Sequence, residues 1–179
     1  MPFPPFGFDL HIPGFFEDVR VSAAASRLGI LSKPDFDYTN IGLLFPQDDA
    51  TEKIYITDQL SHGWKSGSSI YPHIHYIQDE AEVPTFKLDY RFYDNGDTVP
   101  DFTTITTTGV PIYTYTSGAI LQIIVFPVVE LPEYGTSAFY DMILYRDDDV
   151  VTGDVLVKGF DFHTLFNSIG SYTQYEKQP

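Results

Sequence analysis

Apolar and polar residues alternate with a period of two along most of this chain. The clearest example is residues 86–93 (FKLDYRFY), in which every second side chain is apolar or aromatic. Because successive side chains of a strand point to opposite faces, this pattern predicts a strand with one buried face. Residues 73–77 (HIHYI) alternate in the same way, with His73 and His75 on one face. We predict that these two strands form an antiparallel hairpin. Residues 94–97 (DNGD) then predict a turn, since Asn-Gly adopts positive φ at low cost.

Similar runs occupy most of the chain from Ile41 onward. Residues 119–126 are apolar at nearly every position, which predicts a central strand buried on both faces. Residues 102–108 are rich in threonine, which favours an edge strand. Further strands are predicted at 41–45, 53–58, 112–115, 138–146 and 155–163. About eight strands at this spacing predict an all-β fold, a single jelly-roll-like antiparallel β-sandwich over residues 41–170.

The first 40 residues differ from the rest because proline and phenylalanine dominate their beginning. Proline fixes φ and removes a donor, so residues 1–40 are predicted to form an extended N-terminal arm. Within the arm, residues 17–28 are compatible with one or two helical turns, or with a strand up to Val21 followed by a loop. Clustered phenylalanines are not left in water, which predicts that the arm lies along a groove of its own domain or of a neighbouring protein. The candidate interface residues are Phe3, Phe6, Phe8, Phe15, Phe16 and the single tryptophan, Trp64. Residues 171–179 are predicted to be a polar C-terminal tail.

Charge and composition narrow the possible partners. The chain of 179 residues has a net charge of −15 and no cysteine. An acidic surface repels phosphate, so we expect no nucleic-acid partner. Without cysteine there is no disulfide framework and no thiolate ligand for zinc. The longest apolar run, 119–129, is too short to span a bilayer, so we expect no membrane partner. The N-terminus lacks the features of a secretory signal, so synthesis in a cytoplasm is expected.

One group of residues could bind a metal ion. The spacing of His73, His75 and Glu80 is similar to the first part of the cupin metal signature, and the surroundings of His163 are similar to the end of its second part. Two histidines one strand repeat apart can direct both rings at one ion, and Glu80 and His163 could complete its shell. The alternative is that the histidines pack among aromatic side chains at a subunit contact and hydrogen-bond to carbonyl groups.

Motifs for catalysis are absent from the sequence. We find no G-x-S-x-G nucleophile motif, no phosphate-binding loop and no dinucleotide fingerprint. No pair of carboxylates is singled out for acid–base chemistry. We therefore expect no catalytic residues, no cofactor and no enzymatic activity.

Three segments resemble a family of tailed-bacteriophage virion structural proteins. Residues 54–76 (IYITDQLSHGWKSGSSIYPHIHY) are similar to the core of that family, including its Pro-His-x-His element at 72–75. Phe160–His163, together with residues 170–177, is similar to the closing element, and Phe16–Val21 is similar to the opening element. The resemblance implies a β-sandwich on the exterior of the phage head or neck, made in the cytoplasm of a bacterial host. It implies no catalytic residues.

These observations together predict a capsid decoration (cement) protein that stabilises the head through contacts with the major capsid protein or another virion protein. We expect a homo-oligomer, preferably a trimer, because cement proteins commonly cap local three-fold axes and homo-oligomers close with point-group symmetry. Two alternatives remain open. One is a neck, tail or fibre component, such as an adaptor or a receptor-binding domain. The other is a cupin-like metal-binding enzyme or a sugar-binding jelly roll.

Overall fold

A computed structural model describes residues 15–22, 27–29, 32–47, 49–110, 120–135, 138–147, 151 and 153–166. These residues form antiparallel strands and connecting turns, which confirms the predicted all-β class. The strands are β1 (Phe15–Ser22), β2 (Arg27–Leu28), β3 (Asp35–Asp37), β4 (Gly42–Phe45), β5 (Lys53–Gln59), β6 (Ile70–Gln78), β7 (Phe86–Tyr93), β8 (Thr103–Thr106), β9 (Ile120–Val125), β10 (Phe139–Arg146) and β11 (Val155–Phe166). None of the residues in these ranges belongs to a helix that could cross a membrane.

The strands form two sheets that pack as a sandwich. The first sheet has the order β3-β4-β11-β6-β9, and β1 also pairs with β11. The second sheet has the order β2-β5-β10-β7-β8. The long strand β11 pairs with β4 through residues 155–157 and with β1 through residues 159–166. Strand β11 therefore holds β6 on one side and both β4 and β1 on the other.

The hydrophobic core lies between the two sheets. Ile74 and Tyr76 of β6 and Phe160 and Phe162 of β11 supply part of the first sheet's inner face, and all four are fully buried. The Phe162 ring meets Tyr140 of the second sheet edge-on, with centroids 5.4 Å apart. Full burial of one such side chain contributes roughly 1.5–3 kcal/mol. The remaining core residues that bridge the layers include Leu43, Phe45, Ile54, Phe86, Leu88, Met142 and Leu144.

Most of the predicted strands are confirmed. Strands β4, β5, β7, β10 and β11 cover the strands predicted at 41–45, 53–58, 86–93, 138–146 and 155–163, and β8 is the last described strand of the second sheet, as predicted for an edge strand. The predicted turn after β7 is present: Gly96 has a φ of +92° and the Asp97 amide donates to the Asp94 carbonyl at 3.1 Å. Residues 112–115 lie outside the described residues, as does the C-terminal tail.

The predicted hairpin of 73–77 with 86–93 is wrong. The two strands exist as β6 and β7, but β6 pairs with β11 and β9, whereas β7 pairs with β10 and β8. The chain crosses from one sheet to the other between Gln78 and Phe86. Each strand has one apolar face, and the crossing lets both faces point into the same core from opposite sides.

The prediction of a central strand at 119–126 is also wrong. Strand β9 stands at the end of the first sheet in the described part of the chain. Gln122 and Ile124 of β9 face the core and are buried, while Leu121 on the other face is 54% exposed. The apolar residues on the outward face of β9 are therefore partly accessible to solvent rather than buried under another layer.

The N-terminal region contributes to the sandwich. Of the two alternatives for residues 17–28, the helix is wrong over residues 17–22, since β1 is a strand that pairs with β11 along its whole length, and residues 23–26 lie outside the described residues. Strand β2 pairs with β5 in the second sheet, and β3 pairs with β4 in the first sheet. The sandwich therefore includes residues from Phe15 onward, rather than beginning at residue 41. Phe3, Phe6 and Phe8 lie outside the described residues.

Candidate functional site

The two histidines of β6 lie on the outer face of the first sheet. Ile74 and Tyr76 point into the core, so by strand alternation His73 and His75 point away from it. Antiparallel register places Asp161 of β11 directly opposite His73, and Arg20 of β1 opposite Asp161. These three residues form one row across three strands.

Asp161 brings the two imidazoles together. Its Oδ1 atom lies 3.1 Å from His73 Nε2 and 3.2 Å from His75 Nε2. His75 faces Gly159 in the register, and the absence of a side chain there leaves room for the His75 ring to lean diagonally toward Asp161. One ligand atom from each residue lies within 4.8 Å of the others.

The Asp161 carboxylate is buried, and its side chain is 1% exposed. Among the described residues, neither Oδ1 nor Oδ2 has a partner with hydrogen-bond geometry, although both imidazoles lie close to Oδ1. The nearest other charge is Arg20, whose Nε lies 3.5 Å from Oδ2. The Arg20 side chain is 69% exposed and also pairs with Asp18 at 3.2 Å. A buried carboxylate in this state is costly unless a cation or donor compensates it.

A backbone contact fixes the tautomer of His73. His73 Nδ1 lies 3.2 Å from the Tyr71 carbonyl oxygen. A carbonyl only accepts, so Nδ1 carries a proton and donates it. In a neutral ring, Nε2 then carries a lone pair, and it lies 3.1 Å from Asp161 Oδ1.

His163 and Asp18 form a second row beside the first. Their backbones are directly opposite in the register, and His163 Nε2 lies 2.7 Å from Asp18 Oδ1. The His163 ring packs on His73, with centroids 4.7 Å apart. Both members of this pair are about half exposed, so it forms a wall of the site while His73 and Asp161 lie beneath it.

A cavity of about 370 Å³ opens over the cluster. Its polar side consists of the residues just described, and its apolar side comes from β9 and the segment after it. The lining residues are Asp18, Arg20, Tyr71, Pro72, His73, His75, Ile123, Val125, Phe126, Val128 and His163. At the rim, exposed Phe16 meets Tyr71 edge-on at 5.7 Å. The cavity is large enough to admit solvent or a small molecule to the imidazoles.

The structure brings together only some of the predicted metal candidates. His73 and His75 join one cluster, and His163 lies against it. Glu80 does not, because it follows the end of β6 in a loop where its carbonyl accepts a hydrogen bond from Gln78 at 3.0 Å. Asp161 takes the place expected for Glu80. The sequence signal for Asp161 was a charged residue between two phenylalanines of one strand, but its partners depend on register.

The predicted interface residues have different positions. Trp64 is in the core and 1% exposed, so its side chain offers no surface to a partner. Phe16 is exposed on β1 next to the cavity. Phe15 begins β1, and its backbone pairs with Phe166.

Comparison with known proteins does not assign a family. No protein-family model matches the chain, and no curated protein matches it. Among solved structures, the chain is similar to a family two carbohydrate esterase from Cellvibrio japonicus, with a TM-score of 0.34 and 12% sequence identity. The match covers 92% of this chain and 36% of that chain, so the chain spans little more than a third of the esterase's length. A likeness at this level carries no argument about function.

Proposed function

We propose that this protein is a non-enzymatic structural component of a tailed-bacteriophage particle, and that it acts as a capsid decoration (cement) protein. The observation that carries the proposal is where the three segments of the resemblance lie. Phe16–Val21 is in β1, the part of the core segment at residues 70–76 is in β6, and Phe160–His163 is in β11, while residues 54–59 belong to β5 of the second sheet. Strands β1 and β6 flank β11, so segments far apart in the sequence form one continuous surface.

Exposed apolar side chains on this surface support a role in protein–protein contact. Phe16, Tyr71, Leu121 and Val128 are all exposed, and they surround the cavity or continue along β9. Several exposed apolar side chains on one face of a sandwich are typical of an interaction site. The partner we propose is the major capsid protein or another virion protein, with further contacts between copies in a homo-oligomer, preferably a trimer.

Copy number in the particle tests the proposal. We expect on the order of hundreds of copies on the head exterior of a decorated particle, because a cement protein follows the capsid lattice symmetry. Quantitative mass spectrometry of purified particles gives the number, and image reconstruction gives the position. Roughly a dozen copies at the neck would favour the adaptor alternative instead. Absence from purified particles would overturn the proposal.

Deletion of residues 1–14 tests whether the predicted arm attaches the protein to the particle. The deletion ends before β1, so every described strand keeps its partners. We expect the variant to unfold at the same denaturant concentration as the wild type but to be lost from particles, because it lacks Phe3, Phe6 and Phe8. Normal incorporation of the folded variant would show that the arm does not attach the protein.

A further inference from the structure

We propose that His73, His75 and Asp161 form a binding site for one divalent transition-metal ion on the outer face of the first sheet. The ligand atoms are the two Nε2 atoms and Oδ1 of the carboxylate. This site does not depend on the proposed role in a virion, and either proposal can fail without the other.

The spacing of the ligand atoms fits a shared ion. With metal–ligand bonds of about 2.0–2.2 Å, neighbouring ligand atoms around one ion lie about 2.9–3.5 Å apart. The two nitrogen-to-oxygen distances are 3.1 and 3.2 Å. The complete set lies within 4.8 Å. His75 is the more exposed of the two histidines, so its ring has room to turn and bring Nε2 within bonding distance of an ion shared with His73 and Asp161.

The protonation pattern also calls for a cation. His73 donates from Nδ1 to the Tyr71 carbonyl, the usual way in which a backbone oxygen orients a metal-binding imidazole. Nε2 then carries a lone pair close to the carboxylate oxygen, and two electron-rich atoms at this distance are stabilised by a cation between them. Among the described residues no group forms an aligned hydrogen bond to Asp161 Oδ1, which leaves this oxygen available to an ion.

Arg20 fits the role of an outer partner of the carboxylate. Its Nε approaches Oδ2, while Oδ1 faces the imidazoles, so the two oxygens are divided between guanidinium and ion. An exposed arginine at 3.5 Å cannot by itself compensate a carboxylate that is fully buried. A divalent ion at the three ligands would neutralise it directly.

The ligand set selects the class of metal. Two imidazoles and one carboxylate suit Zn²⁺, Fe²⁺ or Mn²⁺, whereas Ca²⁺ and Mg²⁺ prefer all-oxygen shells. Three protein ligands leave at least one coordination position, and the cavity gives water access to it.

Metal content and affinity test the site. The protein should be produced without a histidine tag and purified without chelator, then analysed for metals by mass spectrometry. We expect about one zinc, iron or manganese ion per chain. After removal of the ion, calorimetric titration with Zn²⁺ should restore one site, while Mg²⁺ should not bind. A metal-free protein that also fails to bind Zn²⁺, Fe²⁺ and Mn²⁺ would overturn the proposal.

Variants locate the ion. Asp161→Asn and His75→Ala should each lower zinc affinity by at least about 100-fold, since loss of a direct ligand exceeds the 10–100-fold effect of an outer partner. His62→Ala is the matched control, because this histidine lies outside the cluster, and it should bind zinc as the wild type does. Unchanged affinity in folded Asp161→Asn would contradict the assignment.

Wild-type spectroscopy covers the case in which a variant fails to fold. Co²⁺ added to the metal-free wild type should give visible absorption bands of nitrogen and oxygen ligation, which Zn²⁺ displaces. Zinc should also raise the melting temperature of the wild type in a concentration-dependent way. A Co²⁺ spectrum identical to that of the hexa-aqua ion would exclude the site.

Discussion

At the scale of single residues, two carboxylates show how surroundings decide a role. Asp141 on β10 accepts hydrogen bonds from Arg91 Nε at 2.8 Å and from the Tyr93 hydroxyl at 3.2 Å. Asp161 on β11 is more deeply buried and faces two imidazoles, and no described residue donates an aligned hydrogen bond to it. Both are aspartates on strands, but the first is satisfied by protein groups and the second is not. This contrast is why the proposed ion is assigned to Asp161.

Asp141 should contribute stability that depends on pH. Burial raises the pKa of Asp141, but hydrogen bonds from Thr57, Arg91 and Tyr93 outweigh it and hold that pKa below its usual value. A carboxyl whose pKa is lower in the folded state stabilises fully above the unfolded pKa, about 3.9, and loses that contribution as pH falls through the folded pKa. We expect Asp141→Asn to lower the unfolding free energy by about 1–2 kcal/mol at pH 7 and by less at pH 3.

Urea unfolding at the two pH values checks this prediction. Asp101→Asn, in an exposed loop, is the control and should change the unfolding free energy little at either pH. If Asp141→Asn lowered the unfolding free energy equally at pH 7 and pH 3, the predicted dependence on the ionisation of Asp141 would be wrong.

At the scale of elements, β9 shows how one pattern can fit two places in a sheet. A strand that is apolar on both faces is typical of a buried central strand. Among the described strands it lies at the end of its sheet, with Ile124 in the core and Leu121 exposed. An edge strand with an apolar outer face is prone to pair or pack with another chain, so β9 belongs to the surface proposed for virion contacts.

A charge on the outer face of β9 should disturb contacts rather than folding. Leu121→Lys removes an exposed apolar side chain, so the unfolding free energy should change by less than about 1 kcal/mol. Incorporation into particles should fall at least tenfold, which corresponds to about 1.4 kcal/mol of lost contact. Tyr55→Lys adds the same charge at an exposed position of the second sheet and serves as the control. Equal incorporation of both variants would show that β9 is not part of the contact surface.

At the scale of the whole molecule, Arg146 joins the two sheets. It ends β10 of the second sheet and is fully buried. Its guanidinium donates to the carbonyl of Phe45 on β4 at 3.0 Å, and to the carbonyls of Gly153 and Val151, each at 2.7 Å. The fork of donors satisfies carbonyls that approach from the opposite sheet and from the chain leading into β11.

Loss of this side chain should destabilise the whole sandwich. Arg146→Met removes charge-assisted donors from three carbonyls in the interior, so we expect a loss of about 3–5 kcal/mol in unfolding free energy. Chemical denaturation followed by tryptophan fluorescence measures it, since Trp64 is in the core. Arg27→Met, at an exposed position on β2, is the control and should change stability by about 0.5 kcal/mol or less. An Arg146→Met loss below about 1 kcal/mol would show that the carbonyls find other donors.

The sequence by itself determined the type of element and the face on which each side chain lies. Period-two alternation is a local property, so β5, β7 and β10 were predictable, as was the turn at Gly96. The same alternation placed His73 and His75 on one face. Nothing in it said whether that face points into the core or away from it.

Tertiary structure decided which strands pair, in which register, and therefore what the histidines meet. Asp161 reaches His73 only because β11 pairs with β6 in one particular register, and a shift by one residue would turn Asp161 to the other face. Pairing between distant strands is selected by how well the whole core packs, set against the entropy of closing long loops. That balance involves every buried residue at once, so a window of local sequence predicts where a strand lies but not which strand pairs with it.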